Sequence, residues 1–383
     1  MAHYIELFAA QDVRIDYFFE VDRIARVVIF VFCPFLNKII DGNPYGGGHF
    51  LSSGFDVISF KTTRDDWFQS IPSYAFVEIL SFLDEKHHEQ RIGYGSSMGG
   101  FGAIVFSNIL KFDLVVTISP QFSISDEFDQ RWSQQAEGIN FCYKIEPKTI
   151  CASCKFFIFY DNMDSDDLHA RRLAEVIMPE QLELIRLPNT SHPSIYFLND
   201  VGMLKNLVFD IIAGVPFQTR KIMSLKQFSH SYLYLLSRKL FSRSKYSQAL
   251  RVISSAITLY GNISSYYVLC SNTLERLGDA VGSIEMAREA LKHDAPRSDL
   301  YYFISKKLLA SNLIKEALSY SELAVSLTPN NIDILWNHSF LLECSGRLEE
   351  ALSVIDSTIK IFPDKAPLRV HRVRILELLG PNG

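Results

Sequence analysis

No stretch of this chain stays apolar long enough to cross a bilayer as a helix. The most apolar run, residues 27–35, falls far short of the ~20 residues required and reads as a buried strand. The amino terminus has neither the basic n-region nor the apolar h-region of a secretory leader. Six cysteines fall without regular spacing, as expected of free thiols in a reducing, cytoplasmic interior. Only Cys151-Ala152-Ser153-Cys154 has metal or redox spacing. Without a second pair, and leading straight into a strand, it reads as structural thiols. Positive charge is not in excess either: the formal charge is −5, so nucleic acid is not an expected partner. What the chain does have is length, since 383 residues exceed one ordinary core and imply two domains.

Glycine is concentrated at one place. In residues 91–103, Gly93-x-Gly95 is followed by Met98 where a dinucleotide-binding loop needs a third glycine, which excludes that class. Gly95, Ser97 and Gly99 instead make G-x-S-x-G. A serine on so sharp a turn needs neighbours without bulky side chains. Runs of β-branched and aromatic residues predict strands at 4–9, 14–21, 26–32, 55–60, 89–94, 113–118, 155–160 and 182–187. Helices are expected at 72–86, 98–110 and 166–177, with loop at 41–48. The polar segment 121–149 is a lid candidate that mixes aromatic and charged residues without a pattern. Strands alternating with helices imply an α/β fold with a mostly parallel sheet and helices on both faces.

In chain order the serine follows one strand, an acidic cluster (Asp161, Asp164, Asp166, Asp167) follows a later one, and His192 follows the last. That order and the serine turn make residues 1–215 resemble the α/β-hydrolase family. The resemblance implies Ser97 as nucleophile, His192 as general base, and an aspartate fixing the imidazole. Asp166, in a turn-then-helix position, is the first choice for the acid, while Asp161 and Asp164 lie nearer the strand end and stay open. The backbone N–H of Met98 would be one oxyanion donor. A second should come from the loop after strand 26–32. There Cys33-Pro34-Phe35 replaces the common His-Gly pair, and proline has no N–H, so Cys33 or Phe35 remains. Neither cofactor nor metal is implied. Each residue also has a plain alternative: Ser97 as a spacer for close packing, His192 as a loop histidine, Cys33 as inert packing. Asp66-Trp67-Phe68-Gln69 reads as a surface turn or a pocket wall. Together with Gly-Ser-Ser-Met-Gly-Gly and Tyr160-Asp161 it resembles bacterial hydrolases linked to surface-glycan or glycoprotein export, some similar to O-acetyl transferases or esterases.

The second half is periodic. Ala249, Ser283, Ala317 and Ala351 are 34 residues apart, as are Ala256, Ala290, Ala324 and Thr358, and Pro329 and Pro363 keep the step. Small residues at this period, with proline closing the unit, resemble the tetratricopeptide repeat (TPR). An all-α repeat domain is therefore expected over 229–383, after a linker at 216–228, with a protein or peptide as partner. Residues 211–274 hold no acid and eight cations (Arg220, Lys221, Lys226, Arg238, Lys239, Arg243, Lys245, Arg251). The stretch 220–251 is thus a solvated face or a site for an anionic partner. The function expected is acyl-ester cleavage. An acyl or O-acetyl transferase acting on a glycan or glycoprotein, and a non-catalytic TPR scaffold, are the alternatives.

Overall fold

A computed structural model of the protein describes residues 3–37, 39–125 and 129–380. The chain divides into two compact units, Met1–Leu235 and Leu236–Gly383. The first is built on one eight-stranded sheet: β1 (His3–Ala9), β2 (Val13–Phe19), β3 (Val27–Phe32), β4 (Asp56–Thr62), β5 (Gln90–Ser96), β6 (Leu114–Ile118), β7 (Lys155–Tyr160) and β8 (Leu182–Arg186). Their spatial order is β1-β2-β4-β3-β5-β6-β7-β8. Only β1/β2 and β2/β4 pair antiparallel; every other neighbouring pair is parallel. Central β3 and β4 are almost wholly buried, as the continuous apolar run of β3 requires of a strand covered on both faces; β4 also buries Asp56, Ser59, Lys61 and Thr62, with Lys61 paired to Asp16.

The covering helices of this unit are α1 (Gly47–Ser52), α2 (Ser73–Asp84), α3 (Met98–Val105), α4 (Ser133–Ala136), α5 (Asp166–Val176), α6 (Ile195–Asp200), α7 (Leu204–Ile212) and α8 (Thr219–Ser224). The β3–β4 crossover runs toward one edge and the later crossovers toward the other. Right-handed connections in opposite directions place their helices on opposite faces. Aromatic contacts agree: Phe50 of α1 meets Phe209 of α7, while Phe76 of α2 meets Phe106 just after α3. The reversal of direction between β3 and β5 opens a crevice at their carboxyl ends, where open α/β sheets bind ligands.

Strands fall close to their expected positions. Helix α3 is shorter than expected, stopping at Val105, and the chain then turns through Lys111 at φ 55°. The segment expected as linker holds α8, and the division between the units falls inside α9 (His230–Ser242) rather than at 216–228. Among the described residues no helix is long and apolar enough to cross a membrane.

The second unit repeats one helix pair. Helices α10 (Tyr246–Leu259), α12 (Ala280–Ala290), α14 (Ile314–Leu327) and α16 (Leu348–Ile361) begin 34 residues apart. So do α9, α11 (Ser264–Arg276), α13 (Ser298–Ala310), α15 (Ile332–Cys344) and α17 (Ala366–Leu379). The small residues singled out by period are buried, from Ala249 to Thr358, where helices of a pair must approach closely. A second period reinforces this. Ser237, Ser271 and Ser339 are buried and donate their hydroxyls to the carbonyls of Ala249, Ser283 and Ala351 at 2.7–2.9 Å. Each bond ties the first helix of a pair to the second. Pro329 and Pro363 follow the ends of α14 and α16, whose continuation they forbid.

Packing this close makes a prediction. Ala317→Leu, at a fully buried contact, should lower stability by about 1–3 kcal/mol through overpacking. Val281→Leu, on an exposed helix face, should be near neutral. Chemical denaturation of the second unit's helical signal checks both, and equal stability of the two variants would refute the close-contact account.

Candidate active site

Six mutually parallel strands, β3 to β8, end at the same side of the sheet, and the residues that follow several of them converge there. The β5–α3 turn is the tightest. A Cβ on Gly95 would lie 2.3 Å from the Gly99 backbone, and one on Gly99 would lie 2.4 Å from the Phe32 carbonyl oxygen. Only glycine permits this approach of α3 to β3 and β5. Between them Ser97 takes φ 55°, ψ −120°, a conformation costing on the order of 1–3 kcal/mol in an L-residue. It is held there by its amide on the Ile118 carbonyl (3.0 Å) and by its carbonyl under the Phe101 amide (3.1 Å).

His192, on the loop between β8 and α6, brings Nε2 to 2.8 Å from Ser97 Oγ. Its Nδ1 lies 2.8 Å from Oδ1 of Asp166, the first residue of α5. A carboxylate at a helix N-terminus is favoured by the macrodipole. Since Asp166 can only accept, Nδ1 carries the hydrogen and Nε2 presents its lone pair to the serine hydroxyl. Asp166 is buried, which by itself raises its pKa. The His192 ring and the Arg131 guanidinium outweigh burial and hold the carboxyl below its usual range.

The other aspartates have different work. Asp161 is fully buried and accepts from the amides of Met163 (2.9 Å), Asn189 (2.8 Å) and Ser191 (2.7 Å). It fastens the loop that carries His192. Asp164 accepts from the Ser165 amide and, at 3.1 Å, from the Ser191 hydroxyl. Neither carries a hydrogen bond to the His192 ring.

One expectation is corrected. The Cys33 amide donates to the Phe60 carbonyl at 3.1 Å, extending the β3/β4 ladder, so it is not free for an oxyanion. Burial also pushes the Cys33 thiol up to about 12, which keeps it protonated. The Phe35 amide has no hydrogen-bond partner among the described residues, and the Met98 amide opens α3, where backbone donors lack intrahelical partners. Cys151 and Cys154 are buried, and burial pushes the Cys154 thiol up. All six cysteines are free, and among the described residues no cluster of three or more His, Cys, Asp or Glu is arranged to hold a metal.

The segment between β6 and β7 supplies what sequence reading missed. Arg131 grips Asp129 with Nε and Nη2, both at 2.8 Å, and reaches Asp166 Oδ1 at 3.3 Å. Behind them His169 Nδ1 accepts from the Phe122 amide (3.0 Å), so its Nε2–H donates to Asp129 (2.8 Å). Burial alone would raise the Asp129 pKa, but these two donors hold it far below the carboxylate range. Gln69 clamps the same segment through both backbone groups of Tyr143. Trp132 sets its ring edge-on to His192, with centroids 5.8 Å apart, and packs on Trp67 and Phe35. Trp67 is not a surface turn: it is 1% exposed, with its indole N–H on Gln121 Oε1 at 2.9 Å. The same oxygen lies 3.4 Å from Ser97 Oγ. Ser97 itself is only 5% exposed. The sole sequence signal for Gln121 was its place just beyond the carboxyl end of a parallel strand.

No protein-family model and no curated protein matches the sequence. Solved structures that resemble the chain include a double mutant of MamA from RS-1, 16% identical with a TM-score of 0.38, covering 40% of this chain and 85% of that one. YrrB, described as a TPR protein with an unusual peptide-binding site, is 22% identical with a TM-score of 0.36, covering 41% and 80%. PilF of Pseudomonas aeruginosa is 12% identical with a TM-score of 0.35, covering 40% and 69%. The helical repeat of this chain stands on its own 34-residue period.

The held carboxylates make stability depend on pH in a defined sense. A carboxyl whose folded pKa lies below its unfolded value stabilises the fold above the unfolded value, and that contribution is lost as pH falls through the folded one. Asp129→Asn should therefore cost about 1.5–3 kcal/mol near neutral pH. The deficit should shrink steadily below about pH 4. Urea unfolding across pH measures it, and a deficit that does not change with pH would contradict a charge held by Arg131 and His169.

Proposed function

We propose that the first unit is a serine hydrolase of the α/β-hydrolase type, cleaving carboxylic acyl esters through an acyl-enzyme. The observation that carries this reading is the continuous relay Asp166···His192···Ser97, with both links at 2.8 Å, on a serine held at left-handed φ. The strand order and the direction reversal beside the serine turn support it.

In that reading Ser97 Oγ attacks the acyl carbonyl as its proton passes to His192 Nε2. Asp166 stabilises the imidazolium and keeps it oriented. The carbonyl oxygen, now anionic, is received by the Met98 amide. Collapse breaks the bond to the leaving alkoxide, which takes the proton from His192. Water, deprotonated in turn by His192, then releases the acid and restores Ser97. Replacing that water by a sugar or protein hydroxyl makes the same centre an acyl or O-acetyl transferase on a glycan or glycoprotein.

A second reading, a scaffold that binds a protein or peptide through its repeats and performs no chemistry, is favoured by the near-complete burial of Ser97 and by the extent of the helical array. Within the second unit Arg238, Arg243, Lys245 and Arg251 of the cation run are exposed, which suits an anionic partner.

Labelling decides between these readings. A fluorophosphonate should modify Ser97 in the folded protein, as read by mass spectrometry, and Ser97→Ala should abolish it. Asp166→Asn should cut kcat by about 10⁴, the scale set by loss of the orienting aspartate. No adduct on folded protein, or an adduct on Ser96, would leave the scaffold.

A further inference from the structure

An acyl oxyanion needs more than one donor, and in the loop after β3 Pro34 has no N–H and the Cys33 amide is spent on Phe60, which leaves the Phe35 amide alone there. A donor stands instead at the end of β6. Gln121 is fully buried, and its Nε2 has no hydrogen-bond partner among the described residues. A buried amide donor left unpaired costs on the order of 1–3 kcal/mol, so such groups are rare unless something else binds them.

The orientation of that amide is determined by its neighbour. The Trp67 indole is a donor only, so the atom it meets at 2.9 Å must be the Gln121 oxygen. The nitrogen then faces away from Trp67 on the same terminal carbon. The oxygen lies 3.4 Å from Ser97 Oγ, and the nitrogen, bonded to the same carbon, is the unpaired end of that amide. Trp67 is itself locked, 1% exposed and packed between Phe35 and Trp132. A donor fixed before the reaction needs no reorganisation during it, which is what oxyanion stabilisation requires.

We propose that the Gln121 side-chain amide is the second oxyanion donor, acting with the Met98 backbone amide on the acyl oxygen, and that Trp67 is the positioning residue that turns it. The proposal rests on the serine hydrolase reading. The sequence change that removes the usual donor pair after β3 and the unpaired amide after β6 are then two sides of one arrangement.

The test uses the full chain and a phenyl trifluoromethyl ketone, which adds to a nucleophilic serine to give a hemiketal bearing the oxyanion. In protein carrying ¹⁵N-glutamine, the Gln121 side-chain N–H resonances, assigned by their loss in Gln121→Met, should move downfield on adduct formation. They should not move in Ser97→Ala. Gln121→Met should lower kcat on p-nitrophenyl acetate by about 10²–10³ with KM little changed, and weaken the ketone by a similar factor. Trp67→Phe should give a smaller loss in the same direction, with Gln121 still present. If the hemiketal forms on Ser97 while the Gln121 resonances stay put and folded Gln121→Met keeps its ketone affinity, the proposal is overturned and the Phe35 amide takes the role. If wild-type protein forms no adduct at all, the hydrolase reading fails first and this proposal falls with it.

Discussion

The approach of α3 to the β3 and β5 backbones governs the first unit. At Gly95 and Gly99 the clearance is smaller than any side chain could occupy. That contact forces the chain to reverse between strand and helix within one residue, and the residue at the reversal is Ser97. Neighbouring elements then complete the geometry. The Ile118 carbonyl at the end of β6 fixes the serine amide, and Asp161 at the end of β7 fixes the loop that delivers His192. The alignment of serine and imidazole is therefore a property of strand ends, not of the side chains alone.

Around this frame the electrostatics are set by segments far apart in sequence. Burial of Asp129 and Asp166 opposes their ionisation, and the shared Arg131 with two histidines more than offsets it. The balance matters because an unpaired buried carboxylate would take up a proton. A protonated Asp166 would bring no negative charge to stabilise the imidazolium. Closing the segment after β6 and keeping Asp166 charged are thus one event.

Much of this was legible in the chain. Continuous apolar runs marked the strands, and the 34-residue step marked every helix pair, because both are local or strictly periodic signals. The choice among three aspartates was not legible. It depends on where a turn points its carboxylates, and Asp161, nearer the strand end, proved to serve loop amides while Asp166 meets His192. Cys33 misled because sequence shows that an amide exists but not that a neighbouring strand already uses it. Residues 121–149 showed no pattern since their order comes from pairs such as Gln69 with Tyr143 and Phe122 with His169, which no period records. The periodic serines were visible in principle, but serine carries no signal until its hydroxyl is seen to close on a carbonyl.

Those serines make the second unit modular in a strict sense. Ser237, Ser271 and Ser339 find their acceptors twelve residues onward, while Ser305, at the same step, turns to the Tyr302 carbonyl of its own helix, and each pair begins at the same offset from the one before. Duplication or loss of a whole pair would join surfaces that already match. An insertion of any other length within a pair would slide a bulky side chain onto an alanine's seat and strand a hydroxyl away from its carbonyl. Such an array tolerates change in its number of units far more readily than change inside one, so its length is the dimension along which it can evolve.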